Sequence, residues 1–182
     1  MRVFQHSPGG RWARKNILFV GIDWKRKGGP DLVDAFRSVL RVHPDAHLTI
    51  VGCRPKIDLP NCNVVGEIPV RQLGKYYKEA SVFCLPTHLD TAAIVLLEAM
   101  SYKLAVVSTA VGTRSEFVLE GETGRLVRPG DVAGLSQVLI DLVGDPDTCR
   151  TMGERGYERV MENFTWEKAG ARLKDHIVSA LR

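Results

Sequence analysis

The stretch Leu85–Met100, LPTHLDTAAIVLLEAM, joins the end of a strand, a turn and a helix. Ser81–Leu85 (SVFCL) is a short apolar run of strand character, and Pro86 turns the chain. Asp90 or Thr91 stands where an N-cap is expected, before a helix that the pattern starts near Ala92 and ends near Tyr102. That helix is apolar almost all round, which marks a buried helix, yet Glu98 sits in its middle. At about 100° per residue, Thr91 and Ile94 share Glu98's side, so Glu98 looks back toward Asp90 at the helix N-terminus. A buried carboxylate needs partners, and a helix N-terminus is an anion site. Together they describe a cleft with a phosphate at one end and hydroxyl groups at the other. The alternative is a Glu98 on a narrow solvent stripe with Asp90 as a plain cap, and these residues alone leave both readings open.

Outward from this stretch, strands alternate with helices. Asn16–Gly21 (NILFVG) is a short continuous apolar run, the mark of a strand buried on both faces. The basic glycine turn Trp24–Gly29 follows, and Pro30 opens a helix to about Val42 that buries Leu32, Ala35, Phe36, Val39 and Leu40 at helical spacing. Further strands are expected at His47–Gly52, Val64–Gly66, Leu104–Ser108 and Gly124–Val127. Helices are expected at Val70–Glu79, Arg114–Leu119, Val132–Val143, Pro146–Val160 and Trp166–Leu181. This order predicts an α/β fold, an open parallel Rossmann-like sheet with helices on both faces. Ligands then bind beyond the carboxyl ends of the strands, where Gly21, Gly52, Gly66 and Pro86 turn the chain. Residues 1–15 read as a loop, a linker or N-terminal extension, and residues 16–182 as a single domain.

Length and composition fit that reading: 182 residues, 45% hydrophobic and 25% charged, suffice for one soluble core. No apolar run approaches the ~20 residues of a membrane span, and Met1–Lys15 lacks the apolar core of a signal peptide. Cys53, Cys62, Cys84 and Cys149 show no CxxC spacing, so a reduced, cytoplasmic protein is expected. The net charge of +4, gathered at Arg11/Arg14/Lys15 and Lys25-Arg26-Lys27, suits a phosphate-bearing ligand or an anionic membrane surface, which would place the protein at the inner face of the membrane. It is equally the charge of a solvated basic surface. No aromatic-interleaved basic stripe points to nucleic acid.

Several motifs are missing: no G-x-G-x-x-G, no G-x-x-x-x-G-K-[ST] and no nucleophile elbow. Asp145-Pro146-Asp147 is read as an N-cap followed by Pro at the first helical position rather than as a metal site. His88, in the loop before Asp90, is placed either to meet a phosphate or sugar or simply to face water. Gly112-Thr113 before Glu116 resembles a second strand-to-helix turn on the same edge, with Thr113 as its cap.

Taken in register, these segments resemble the C-terminal half of a group 1 glycosyltransferase, family 4 of the retaining enzymes, with the GT-B architecture. The resemblance covers Asn16–Leu181 and rests on ILFVG with KGG and DLVDAF, LTIVG, VVGEI, VFCLPT, DTAAIVLLEAM, VVSTAVGTRSEFV, GETGRLVRPGD and FTWEKAGARL. It implies a nucleoside-diphosphate sugar as donor substrate, with no further cofactor and no metal. It implies that Glu98 bonds the donor's ribose hydroxyls and Asp90 the hydroxyls of the transferred sugar. The amides of Ala93, Ile94 and Val95 would face the diphosphate, Lys27 would be the phosphate lysine behind the strand-ending Gly21, and backbone near Glu67 and Ile68 would meet the base. Lys27, Asp90 and Glu98 are the implied catalytic set.

The sequence departs from the pattern at three places. Asp90 is a methylene shorter than the usual Glu, Thr91-Ala92-Ala93 replaces a glycine-containing turn, and Ile22 stands where an arginine usually pairs with the diphosphate. Lys25 or Arg26 are the nearby replacements for that charge. The acceptor half is implied to lie in an N-terminal domain absent from these 182 residues, so the chain is expected to be the donor half of an enzyme and inactive alone. The rival expectation is a non-catalytic nucleotide-binding or scaffold module with a decayed donor site. A nucleotide-sugar epimerase of the same architecture ranks third.

Overall fold

In the computed structural model, which describes residues 10–90 and 94–180, six strands form one parallel sheet in the order β3-β2-β1-β4-β5-β6. The strands are β1 Asn16–Val20, β2 His47–Val51, β3 Cys62–Gly66, β4 Val82–Leu85, β5 Ala105–Thr109 and β6 Gly124–Val127. The central ones are the apolar runs: Ile17, Leu18 and Phe19 in β1, all of β4 and all of β5 are buried. A strand covered on both faces cannot alternate polar with apolar residues, which is why these runs are continuous.

The helices are α1 Gly29–Val42, α2 Leu73–Glu79, α3 Ile94–Ser101, α4 Arg114–Phe117, α5 Val132–Gly144, α6 Pro146–Asn163 and α7 Trp166–Ala180. They cover both faces of the sheet, with α1 packed on α5 and α3 on α6. In α1 the buried residues Leu32, Val33, Ala35, Phe36 and Val39 recur at helical spacing. Asp145 caps α6 as its position before Pro146 predicts, its carboxylate accepting from the amides of Asp147 and Thr148.

The order of strands reverses between β1 and β4, and the loops after those strands open the crevice where such sheets hold ligands. Backbone packing there is tight. Gly28 has φ +73°, and a side chain on it would drive a carbon to 1.8 Å from the Pro86 carbonyl oxygen. The β1–α1 loop therefore lies directly on the β4–α3 loop.

Several local expectations differ: β3 begins at Cys62 rather than Val64, α4 ends at Phe117 rather than Leu119, and Leu40 is half-buried rather than buried. Val70–Gln72 is a tighter 3₁₀ turn ahead of α2 rather than its first turn. Gly10–Arg14, read as loop, is also a 3₁₀ turn. It is held by the turn that follows α3, where the Arg11 guanidinium donates to the Tyr102 and Lys103 carbonyls. The four cysteines are free thiols, and burial pushes the Cys84 thiol up. No helix among the described residues is long and apolar enough to cross a membrane.

Candidate functional site

The β1–α1 loop sets three consecutive cations in three directions. Its backbone is wound by bonds from the Lys27 amide to the Asp23 carbonyl, Gly28 to Lys25 and Gly29 to Trp24. Trp24 anchors the turn by packing edge-on to Phe19, 5.2 Å between centroids, and by covering Gly29, where any side chain would strike the indole. Lys25 points into solvent. Arg26 folds onto Asp23, Nε to Oδ2 3.0 Å, and donates to the Leu89 carbonyl at 3.0 Å. Lys27 alone turns inward, its stem passing over Gly21, where a side chain would crowd it.

The β4–α3 loop meets it. The Thr87 hydroxyl and the His88 amide both donate to the Arg26 carbonyl at 3.0 Å. From the other side, the Thr109 hydroxyl donates to the Thr87 carbonyl and the Ser108 hydroxyl to the Leu85 carbonyl. Pinned in this way, the loop delivers Asp90 against Lys27, whose Nζ donates to Asp90 Oδ2.

A further cation reaches the same oxygen: Arg114 Nη2 stands 3.1 Å from Asp90 Oδ2. Arg114 is 1% exposed and Asp90 9% exposed. Arg114 Nη1 donates to the Val111 carbonyl at 2.9 Å and reaches the Asp90 carbonyl at 3.5 Å, while neither Nε nor Nη2 makes a hydrogen bond among the described residues, so Nη2 meets Oδ2 as an ion pair. Arg26 Nη1 lies 3.9 Å from the other carboxylate oxygen, Oδ1. Burial would raise Asp90's pKa, but the hydrogen bond and charge of Lys27, with the charges of Arg114 and Arg26, hold it below the ordinary carboxylate value. Asp90 Oδ2 is thus committed to Lys27 and Arg114, and Oδ1 has only the more distant Arg26 beside it.

At the other end, Glu98 takes the exposed position of the solvent-stripe reading. It is exposed rather than buried, because the side of α3 it shares with Ile94 is the open one: Ile94 is 60% exposed, while Leu96, Ala99 and Met100 face the core. Its partner is Tyr77, whose hydroxyl donates to Oε2 at 3.0 Å. Tyr77 is buried and stacked on Tyr102 at 5.1 Å. Burial first, then Glu98's charge and hydrogen bond, push its phenol well above the usual value, so it remains a donor.

The remaining expected residues fall along the same edge. Glu67 is exposed and Ile68 half-buried in the loop after β3. Val95 is half-buried on α3. The amide expected from Ala93, the cap expected from Thr91 and the helix start at Ala92 lie outside the described residues. His88 is half-exposed and paired with Asp31 of α1, Nε2 to Oδ2 2.9 Å. Thr113 makes no side-chain cap bond to α4. Ile22 is 79% exposed and carries no charge into the cleft.

Arg114 and Tyr77 are the two site residues that the sequence does not announce. Arg114 sits in a short turn where a basic residue reads as surface, and Tyr77 reads as one more core aromatic of α2. A separate hollow of about 570 Å³ lies at the opposite, amino edge of the sheet, lined by Asn16, His47, Asn61 and Glu79 among others. It gathers no cluster of cations comparable to that around Asp90, so the carboxyl edge is the better anion site. Among the described residues no group of three or more His, Cys, Asp or Glu side chains is placed to hold a metal ion.

The chain resembles known proteins of one family. A family model described as "Glycosyl transferases group 1" matches residues 9–159. The GDP-mannose-dependent alpha-(1-6)-phosphatidylinositol monomannoside mannosyltransferase of Mycolicibacterium smegmatis is 31% identical over 168 residues, 82% of this chain and 44% of that protein. The sucrose-phosphate synthase structure from Thermosynechococcus elongatus aligns with a TM-score of 0.75 at 27% identity, over 92% of this chain and 47% of its own. The C-terminal domain of a glycosyl transferase group 1 family protein (LpcC) from Francisella tularensis shares the fold, with a TM-score of 0.76 at 22% identity over 84% of this chain and 87% of that domain. The chain spans less than half the length of curated relatives such as the mannosyltransferase and a Mycobacterium tuberculosis glycogen synthase.

Proposed function

The chain belongs to the group 1 glycosyl transferases, and on that premise we propose that the crevice between the β1–α1 and β4–α3 loops takes a nucleoside-diphosphate sugar. The chain then serves as the donor-binding half of a retaining enzyme, with the acceptor held by a separate N-terminal half. The observation that carries this reading is Lys27 turned inward onto Asp90, across the point where the strand order reverses. A cation aimed into that crevice is positioned to neutralise a diphosphate, and in transfer it stabilises the charge left on the departing nucleoside diphosphate. Asp90 Oδ1 accepts from a hydroxyl of the transferred sugar, and the free oxygen of Glu98 from the ribose. Backbone near Glu67 and Ile68 lines the base, and the amides at the start of α3 face the phosphates. The GDP-mannose dependence of the mycobacterial relative supports the donor class.

Of the basic clusters that suit a membrane surface, Arg11, Lys15, Arg26 and Lys27 all have partners within the fold. That draws support away from a membrane partner and toward a phosphate ligand. The non-catalytic module is the second reading, favoured by one observation: Lys27 already has an internal anion in Asp90, and Ile22 adds no second charge. A thermal-shift screen with UDP, GDP, ADP, TDP and their sugars separates the two. Stabilisation by one base with its diphosphate supports the donor site, and no response across the panel leaves the scaffold reading.

A further inference from the structure

We propose that Arg114 is a positioning residue of this site: it is the standing counter-ion of Asp90, and so frees Lys27 to leave that carboxylate for an incoming diphosphate. The inference rests on the donor-site reading above. It begins from an asymmetry between the two cations on Oδ2. Lys27 arrives on a flexible four-carbon stem with its ammonium at the edge of the crevice, 14% exposed. Arg114 is fixed. Its guanidinium is buried, spans from the Val111 carbonyl to Asp90, and is held by both. One cation can follow a ligand and the other cannot.

The charge around Asp90 makes this asymmetry matter. Arg26 and Lys27 face it from the β1–α1 loop and Arg114 from the β5–α4 turn. His88, on Asp90's own loop, is turned away to Asp31. Arg26 is held by Asp23 and the Leu89 carbonyl and stands 3.9 Å away. Were Lys27 the only close partner, drawing it to a phosphate would strand a buried carboxylate, which is strongly unfavourable. With Arg114 in place the carboxylate stays compensated and keeps its orientation while Lys27 moves. Arg114 thereby supplies, from beneath the site, a positive charge that Ile22 does not supply from above.

The experiment is calorimetric titration of wild type, Arg114→Met and the Asp90→Asn/Arg114→Met double variant with UDP, GDP and ADP. These diphosphates lack the transferred sugar, so any contact of Asp90 with that sugar does not enter. Arg114→Met is expected to bind the preferred diphosphate roughly tenfold more weakly, an ordinary scale for coupling between groups, because Lys27 is then held by Asp90 alone. The double variant, with no carboxylate to hold Lys27, returns to wild-type affinity or better. The unphosphorylated nucleoside binds all three alike. Unchanged affinity in Arg114→Met overturns the inference, as does a double variant as weak as the single one, since either means that Lys27 is not released by Arg114. If the single variant does not fold, the double variant decides alone: equal or tighter binding than wild type supports the inference and weaker binding overturns it. If wild type binds none of the diphosphates, the donor-site reading fails and this inference with it, an outcome distinct from the others.

Discussion

Asp90, in the loop before α3, and Glu98, in the middle of α3, are two carboxylates that the protein treats in opposite ways. Asp90 is 9% exposed and faces three cations, whereas Glu98 is exposed and has a neutral phenol for a partner. A carboxylate so surrounded is an electrostatic element, and its cost and benefit are shared with Lys27 and Arg114. A solvated carboxylate held by one hydroxyl is a local acceptor that can be changed with little consequence to the fold. On the function proposed above, the cations around Asp90 meet the diphosphate while Asp90 Oδ1 takes a sugar hydroxyl, and Glu98 meets the ribose hydroxyls. Each of the following changes should disturb one end and leave the other intact.

The largest effect is expected at Arg114. Removing the buried guanidinium leaves Asp90 with Lys27 as its one close cation, so Arg114→Met should cost about 3 kcal/mol of stability in denaturant titration. Replacing Asp90 and Arg114 together by Asn and Met should cost less than the single change. The cluster also carries a pH signature. Asp90's pKa is lowered in the fold, so its contribution is fully present above the unfolded carboxylate value of about 3.9. That contribution is lost as pH falls from there through the lowered folded value. Acid unfolding curves of wild type and Asp90→Asn should differ in that window.

Next in size are the ligand effects. Lys27→Ala should weaken a nucleoside diphosphate by ~1.5–3 kcal/mol, the range for hydrogen bonds to charged groups, with the unphosphorylated nucleoside unaffected. Glu98→Ala should weaken nucleoside and diphosphate equally, by about 1.5 kcal/mol, and a 2′,3′-dideoxy ligand should bind parent and variant alike. Tyr77→Phe should cost about 1 kcal/mol of stability, the worth of one ordinary hydrogen bond. The smallest effect is Lys25→Ala, within ~0–1 kcal/mol for the diphosphate because an exposed charge is screened.

The fold was legible because its information is local. NILFV, VFCL and AVVST are continuous apolar strands whatever surrounds them, and Asp145-Pro146 specifies a helix start by itself. That Lys27 turns inward was legible from its register beside Gly28-Gly29, and that Glu98 shares a face with Ile94 from helical geometry. Glu98's exposure was one of two open readings: an all-apolar helix marks a buried one, but α3 leaves Ile94 and Glu98 exposed. Arg114 was illegible for a deeper reason. Its burial arises only when the β1–α1, β4–α3 and β5–α4 connections converge on Asp90, residues 24 positions or more from their partners. Asp90's tether to Lys27 follows from the same convergence, which turns a plain cap candidate into the centre of an ion cluster.

The most direct test of a charge end and a hydroxyl end is one calorimetric comparison: Lys27→Ala and Glu98→Ala, each titrated with the preferred nucleoside and its diphosphate. Lys27→Ala should lose affinity for the diphosphate only, and Glu98→Ala should lose it for both ligands by the same amount. Loss of nucleoside binding in Lys27→Ala, or a Glu98→Ala variant that binds both ligands like the parent, would contradict the division of the site between the two carboxylates.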